Sequence, residues 1–214
     1  MGISERKERE KLRRRNEIID AAEQVFFEKG IEQATMDDVA RQAELSKGTL
    51  YLYFRNKDEL RYAIKMRATI KLKEMFVQAV DQNAPGYRMI EQIGRTFIRF
   101  SQEHRQYFLS MMEFEGKGLE KLNFDDPYIS EFMEEHSPMY LFVESVKKGQ
   151  QDGSIRDDIP PYVIAHNLWG MTTGVLLLVS NQKLVIEKHG YSSEPSQYIE
   201  GMFRIYEVGL KSNS

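Results

Sequence analysis

The sequence predicts an all-α protein, with an N-terminal three-helix helix-turn-helix head and a C-terminal helical body. Two observations predict it. Apolar residues recur at three- and four-residue spacings along nearly the whole chain, while the period-two alternation of a half-buried strand is almost absent. Glycine, proline and capping residues fall between the apolar stripes, where helices start and stop.

The first stripe, Ile18, Ala22, Val25 and Phe26, stops at Gly30, a C-terminal helix signal. Thr35 opens a short second helix, and Asp38 three residues on makes a capping box in which Asp replaces the usual Glu or Gln. That helix turns Val39 and Ala40 inward and ends near Ala43, and a turn follows at Glu44-Leu45. Ser46 caps a third helix from Lys47 to about Tyr53. Arg55-Asn56 closes it, and Asp58-Glu59-Leu60 starts a fourth. The apolar face of the fourth helix runs through Leu60, Ile64, Ala68, Leu72, Met75 or Phe76, and Ala79 until Pro85-Gly86. At 1.5 Å per residue such a helix spans roughly 35–40 Å.

Beyond Gly86 the spacing predicts a helix through Ile90, Ile93, Phe97 and Phe100, then a short one around Phe108 to Met112. Gly116, Gly118 and Asp125-Asp126-Pro127 mark a loop. A helical region runs from Tyr128 towards Gln151, restarted at Ser137-Pro138 because proline suits a first turn and disrupts an interior. Asp152-Gly153 ends it. Pro160-Pro161 opens a strongly apolar helix from Tyr162 to about Ser180, and the last helix runs from about Pro195 to Leu210. The domain division expected from this order is a head at residues 1–60 and a body at residues 61–214.

Composition narrows the function classes. With 214 residues, 41% hydrophobic and 29% charged, the chain is long enough for a core in each part and too apolar for disorder. The absence of cysteine excludes a disulfide framework, a thiolate metal site and a cysteine nucleophile. The uninterrupted apolar stretch Val175–Val179 is too short to cross a bilayer, and the charged N-terminus lacks the apolar region of a signal peptide. A cytoplasmic protein without a membrane partner is expected. The net charge is -3, yet residues 1–67 carry 15 Lys and Arg against 13 Asp and Glu, and the rest 15 against 20. The basic excess peaks with seven cations between Arg6 and Arg15, which reads either as a solvated tail or as part of a nucleic-acid footprint.

The third helix carries the most informative face. At about 100° per residue, Leu50 and Phe54 fall about 40° apart and point inward, leaving Gly48, Thr49, Tyr51 and Leu52 outward. A merely solvated face would carry Lys and Glu. This one suits contact: Gly48 lets a backbone approach another surface, Leu52 fits a thymine methyl, and Thr49 and Tyr51 offer hydroxyls. Lys47 and Tyr53 sit at the shoulders, where phosphates would lie.

The run Thr35-Met36-Asp37-Asp38-Val39-Ala40, then Ala43, Leu45-Ser46-Lys47-Gly48-Thr49-Leu50-Tyr51-Leu52-Tyr53-Phe54 and Asn56-Lys57-Asp58-Glu59-Leu60, resembles the TetR family of transcriptional regulators. The motif covers about residues 15–65. The resemblance implies a DNA-binding head, a helical body that dimerises, and repression of a promoter relieved by a small molecule. By motif position the implied DNA contacts are Thr35, Ser46, Lys47, Gly48, Thr49, Tyr51, Leu52, Tyr53 and Lys57, with Lys57 placing its charge and a helix N-terminus near a phosphate. Leu52 departs from the His often found there, which removes a polar contact.

In the body, Phe76, Phe97, Phe100, Met111, Met112, Met139, Phe142, His166 and Trp169 are candidates to line a pocket for a small hydrophobic effector, although core packing also accounts for them. Leu168, Met171, Leu176, Met202, Phe203 and Tyr206, on the two last helices, are candidates for a homodimer interface built as a four-helix bundle. Gly170 and Gly174 permit close helix approach there, as they would inside one chain. The histidines His104, His136, His166 and His189 are scattered, and no metal-spaced cluster, phosphate loop or nucleophile motif is present. No enzyme activity, metal or cofactor is therefore expected. The alternative that keeps the fold is a DNA-bound organising protein with a protein partner and no effector.

Overall fold

The computed structural model describes residues 2–115, 137–181, 187–188 and 194–211. Among these the regular structure is helical: α1 (Ile3–Lys29), α2 (Met36–Gln42), α3 (Lys47–Tyr51), α4 (Lys57–Ala79), α5 (Gly86–Glu103), α6 (Arg105–Glu115), α7 (Pro138–Gln151), α8 (Pro161–Asn181) and α9 (Pro195–Leu210). The loop expected at Gly116, Gly118 and Asp125-Asp126-Pro127, the helix start at Tyr128, and His136 and His189 lie outside the described residues.

The helices fall into two compact units, one within Met1–Thr69 and Arg105–Phe132, the other within Ile70–His104 and Met133–Ser214. The expected boundary at residue 60 lies inside α4, so the first unit also takes the next turns of α4 and all of α6.

The first unit closes around one apolar cluster. Ile18, Ala22 and Val25 of α1, Val39 and Ala40 of α2, Leu50 and Phe54 at α3, and Leu60 and Ile64 of α4 are all buried in it. Burial of large side chains such as Phe54 and Leu60 contributes about 1.5–3 kcal/mol each, which lets a five-residue helix such as α3 hold its place. A polar network fastens the helices at its edge. Arg67 of α4 donates to Asp20 Oδ1, to Glu23 Oε1 at 3.3 Å and to the Asn16 carbonyl at 3.1 Å, all on α1. From α6, the Tyr107 hydroxyl donates to Glu23 Oε1 at 3.0 Å, and its ring meets Phe27 edge-on. Burial, with the Glu23 carboxylate beside it, pushes the Tyr107 hydroxyl up to about 12.

In the second unit α5, α7, α8 and α9 pack together around Ile90, Ile93, Phe97, Phe142, Val146, Leu168 and Tyr206. α5 starts against α7 so closely that a Cβ at Gly86 would lie 2.1 Å from the Gly149 nitrogen, so Gly86 tolerates no side chain. The loop after α7 caps α5: Gly86 N–H donates to Asp152 Oδ2 at 2.8 Å and Tyr87 N–H to Ser154 Oγ at 3.1 Å. At the far end, Arg156 N–H donates to the Leu210 carbonyl at 2.9 Å, satisfying a terminal carbonyl of α9.

Two element boundaries differ from the sequence reading. α3 ends at Tyr51, two residues early, because Leu52 and Tyr53 tighten into 3₁₀-type bonds onto Thr49 and Leu50. α4 ends at Ala79, well before Pro85-Gly86, because Asp81 Oδ1 accepts the Asn83 N–H at 2.9 Å and offers the backbone a turn. α8 is strongly apolar, as its sequence predicts. Its Pro161–Val179 segment reaches a mean hydropathy of 1.4 and is long and apolar enough, by length and composition, to cross a membrane. Its apolar residues divide between a buried face, Ile164, Ala165, Leu168 and Leu176, and the exposed Met171 and Leu178.

Candidate nucleic-acid interface

Two capped helices and a strained turn build the face. Thr35 caps α2 reciprocally: the Asp38 N–H donates to Thr35 Oγ1 at 3.2 Å, and the Thr35 N–H donates to Asp38 Oδ2 at 3.1 Å. Asp therefore closes the box that Glu or Gln usually closes. The Lys29 ammonium, the Thr35 hydroxyl and the Thr35 N–H all favour the charged Asp38 carboxylate and lower its pKa to about 2. The turn between α2 and α3 passes through Glu44 at a φ of 55°, a left-handed conformation that a non-glycine residue rarely adopts. Ser46 then caps α3, its Oγ accepting the Thr49 N–H at 3.1 Å while lying 2.8 Å from the Thr49 hydroxyl.

The outward face of α3 is the one the helical spacing predicts. Leu50 and Phe54 are buried, whereas Leu52 is 83% exposed and Tyr51 48%. Gly48 is exposed and Thr49 half-buried. Among the described residues a Cβ on Gly48 would meet only Ser46 Oγ, at 3.9 Å, so none of them demands a glycine there. Lys47 reaches back to Asp37 at 2.5 Å, an exposed pair of small energetic weight. Tyr53 is half-buried and packs against the core cluster.

Lys57 is placed differently from its sequence expectation. Its ammonium donates to the carbonyls of Ile31 at 2.7 Å, Ala34 at 3.0 Å and Glu32 at 3.4 Å, so it pins the connection between α1 and α2. The pinning was not legible in the sequence, since the three acceptors are backbone atoms 23 to 26 residues away. The start of α4 is instead dressed by Asn56, whose Oδ1 accepts the Glu59 N–H at 2.9 Å.

α3 is thus held by its Ser46 cap, with an exposed tyrosine, leucine and glycine and a half-buried threonine on one side and the apolar core on the other. The profile of bacterial regulatory proteins of the tetR family matches residues 18–64, which span this head from the core part of α1 into α4. Residues 18–64 thus carry a tetR-family DNA-binding domain. The repressor BepR of Brucella suis biovar 1 (strain 1330) is 27% identical over 165 residues, covering 76% of this regulator and 78% of that protein. A Rhodococcus sp. RHA1 protein of unknown function superposes with a TM-score of 0.69 at 18% identity, over 92% of this chain and 95% of that one. AibR, solved with isovaleryl coenzyme A and operator DNA, superposes with a TM-score of 0.62 at 18% identity, over 90% and 97% of the two chains.

The residues expected to line an effector pocket are distributed over the regulator's two units. Met111 and the half-buried Met112 belong to the first unit. In the second, Phe76, Phe97, Phe100 and Phe142 are buried, and Phe97 stacks on the half-buried Trp169 with ring centroids 4.4 Å apart. Met139 is half-buried. Phe142 borders a cavity of about 20 Å³ together with Tyr87, Ile90, Leu168 and Phe203, room for a single water. His166 is exposed, its Nδ1 2.7 Å from the Tyr162 carbonyl of the same helix, so it is neither a core histidine nor part of that cavity.

The expected interface residues divide in the same way. Leu168, Leu176, Met202 and Tyr206 are buried inside their own unit and Phe203 is half-buried against Gly94, which leaves Met171 exposed, at 47%. The apolar surface that α8 and α9 leave open is instead Met171, Leu178, Ile205 and Val208, the last two 64% and 73% exposed. Beside it a groove of about 170 Å³ runs between Ile164, Leu168, Met171, Ile205 and Gly209. The three-residue step from Ile205 to Val208 was the available sequence signal. Among the described residues nothing lies within 4 Å of a Cβ built on Gly170 or Gly174.

Proposed function

We propose that this TetR-family protein is a repressor that binds operator DNA as a homodimer and is released when a small hydrophobic effector occupies its body. The observation that carries the reading is the exposed face of α3, where Tyr51 and Leu52 stand out beside a glycine that the fold does not require. In this reading Thr49, Tyr51 and Leu52 meet base edges, while Lys47, Tyr53 and the α2 start at Thr35 meet phosphates. Ser46 orders the helix that presents them, and Lys57 acts from behind as a positioning residue. Two heads are needed because one reads a half-site, and half-sites lie a helical turn or a multiple apart. The open apolar face of α8 and α9, with Gly170 and Gly174, is the surface offered to the second copy.

The effector is an apolar molecule of the acyl or aromatic kind. Support comes from the aromatic side chains of the body and from the likeness to AibR, which was solved with an acyl thioester and operator DNA. Accommodating such a molecule beside Phe142 requires the aromatic side chains to repack, since the space there admits one water. Release then depends on the effector's differential affinity for the two states, typically about 1–3 kcal/mol of coupling.

The test has two parts. Tyr51→Phe leaves folding intact and weakens binding to a duplex selected by the wild-type protein by about 1 kcal/mol, the scale of one hydrogen bond; undiminished binding contradicts the contact. Acyl-coenzyme A thioesters of increasing length are then titrated against the protein–duplex complex and against the protein alone. Compounds that bind the protein yet leave DNA affinity unchanged contradict the coupling.

A further inference from the structure

The first four turns of α1 lie outside the core cluster of the head, which begins at Ile18. We infer that this extension is a second DNA-binding element, in which Lys7 and Lys11 reach the phosphate backbone flanking the sequence read by α3. The inference rests on the DNA-binding reading above and adds a contact surface to it.

Four observations carry it. The seven cations between Arg6 and Arg15 lie on one continuous helix, so they form a patterned surface with fixed directions. The first face is set by Ile18, Ala22 and Val25, which point into the head. Counting back from Ile18 at about 100° per residue, Lys11 and Lys7 fall within about 20° of it, while Arg6, Arg9 and Arg13 fall on the far side. The side that is apolar along the core thus turns cationic beyond it.

Arg15 then fixes where that side leads. Its guanidinium sits 4.3 Å from the centre of the Phe54 ring, immediately past the end of α3. At 1.5 Å per residue, Lys11 lies about 6 Å and Lys7 about 12 Å further along α1 from that contact. Finally, three of the four acids of the extension are engaged elsewhere, and the exposed fourth, Glu8, falls about 80° from Ile18 on the wheel. Glu5 accepts the Gly2 N–H, Glu10 pairs with Arg13, and Glu17 pairs with Arg13 and Arg14. Lys7 and Lys11 are exposed and form no ion pair among the described residues. Two exposed lysines a turn apart on the helix that enters the head suit successive phosphates of a nucleic-acid backbone. Each phosphate they neutralise releases counterion.

The test compares the full-length protein with three variants: K7Q/K11Q, R6Q/R9Q and L52E. Glutamine preserves helix propensity, and the two double variants remove equal charge from opposite faces. The probe is a duplex selected by the wild-type protein from a randomised library, used with flanks of about ten base pairs and again with the flanks trimmed. K7Q/K11Q binds the flanked duplex about tenfold more weakly, and its log-log salt dependence is shallower by about two. On the trimmed duplex it matches the wild type, and R6Q/R9Q loses less on the flanked one. Equal affinities of K7Q/K11Q and wild type on the flanked duplex, or equal losses in both double variants, overturn the inference. If L52E abolishes binding while K7Q/K11Q does not weaken it, only the extension's role falls. If no duplex is selected, or L52E binds as well as wild type, the DNA-binding reading falls and takes the inference with it.

Discussion

Lys57 illustrates how one side chain changes role between sequence and structure. Its place at the start of α4 points to a phosphate, whereas its ammonium is spent on three carbonyls of the segment joining α1 to α2. Removing it leaves those acceptors short of a charged donor, a loss of about 1.5–3 kcal/mol for a hydrogen bond of this type, less where water reaches the carbonyls. Lys57→Ala is thus expected to lower the urea midpoint of the head and to leave the slope of DNA affinity against salt unchanged. A shallower slope at unchanged stability would return Lys57 to the phosphates. Asp38 supplies a pH dependence whose sign follows from its lowered pKa. The folded carboxylate titrates near 2, below its ordinary 3.8, so its stabilisation is fully present above about pH 4 and is lost as pH falls towards 2. In urea unfolding, the stability gap between wild type and Asp38→Asn is expected to hold steady from neutral pH to about 5 and then narrow in acid. A gap independent of pH would show that the carboxylate's charge is not what closes the box.

At the scale of elements, the chain's local chemistry was legible and its tertiary partners were not. The starts of α2 and α3 were readable because Thr35, Asp38 and Ser46 act on backbone groups three residues away. The outward face of α3 was readable because helical periodicity alone divides Leu50 and Phe54 from Tyr51 and Leu52. The end of α4 was missed because it depends on the Asp81 carboxylate competing for backbone, a signal weaker than Pro85-Gly86. α8 and α9 posed a harder problem. An apolar stripe that faces its own unit and one that faces another chain look alike in one dimension, and Leu168 and Tyr206, expected at an interface, are buried within their own unit. The structure separates the two stripes and moves the prediction. Ile205→Glu with Val208→Glu should leave the helical content of the protein unchanged and shift its mass from dimer towards monomer at micromolar concentration. Leu168→Glu should instead unfold the second unit, because it buries a charge without a partner. A dimer undisturbed by the Ile205 and Val208 changes would place the interface elsewhere.

For the whole molecule, the division into two compact units makes separate demands on the chain. The first must hold a five-residue reading helix rigidly, and it does so with one apolar cluster, two caps and the Arg67–Glu23–Tyr107 network that ties α4 and α6 to α1. The second must pack four helices and still leave an apolar face open. Both features fit the proposed reading of DNA by two copies of the head. The most direct measurement of that claim is hydroxyl-radical footprinting of the wild-type protein on the duplex it selects from a randomised library. Two protected patches are predicted on each strand, related by symmetry and centred one helical turn or a multiple of it apart, about 34–36 Å per turn. A single patch, or uniform protection along the duplex, would contradict the account.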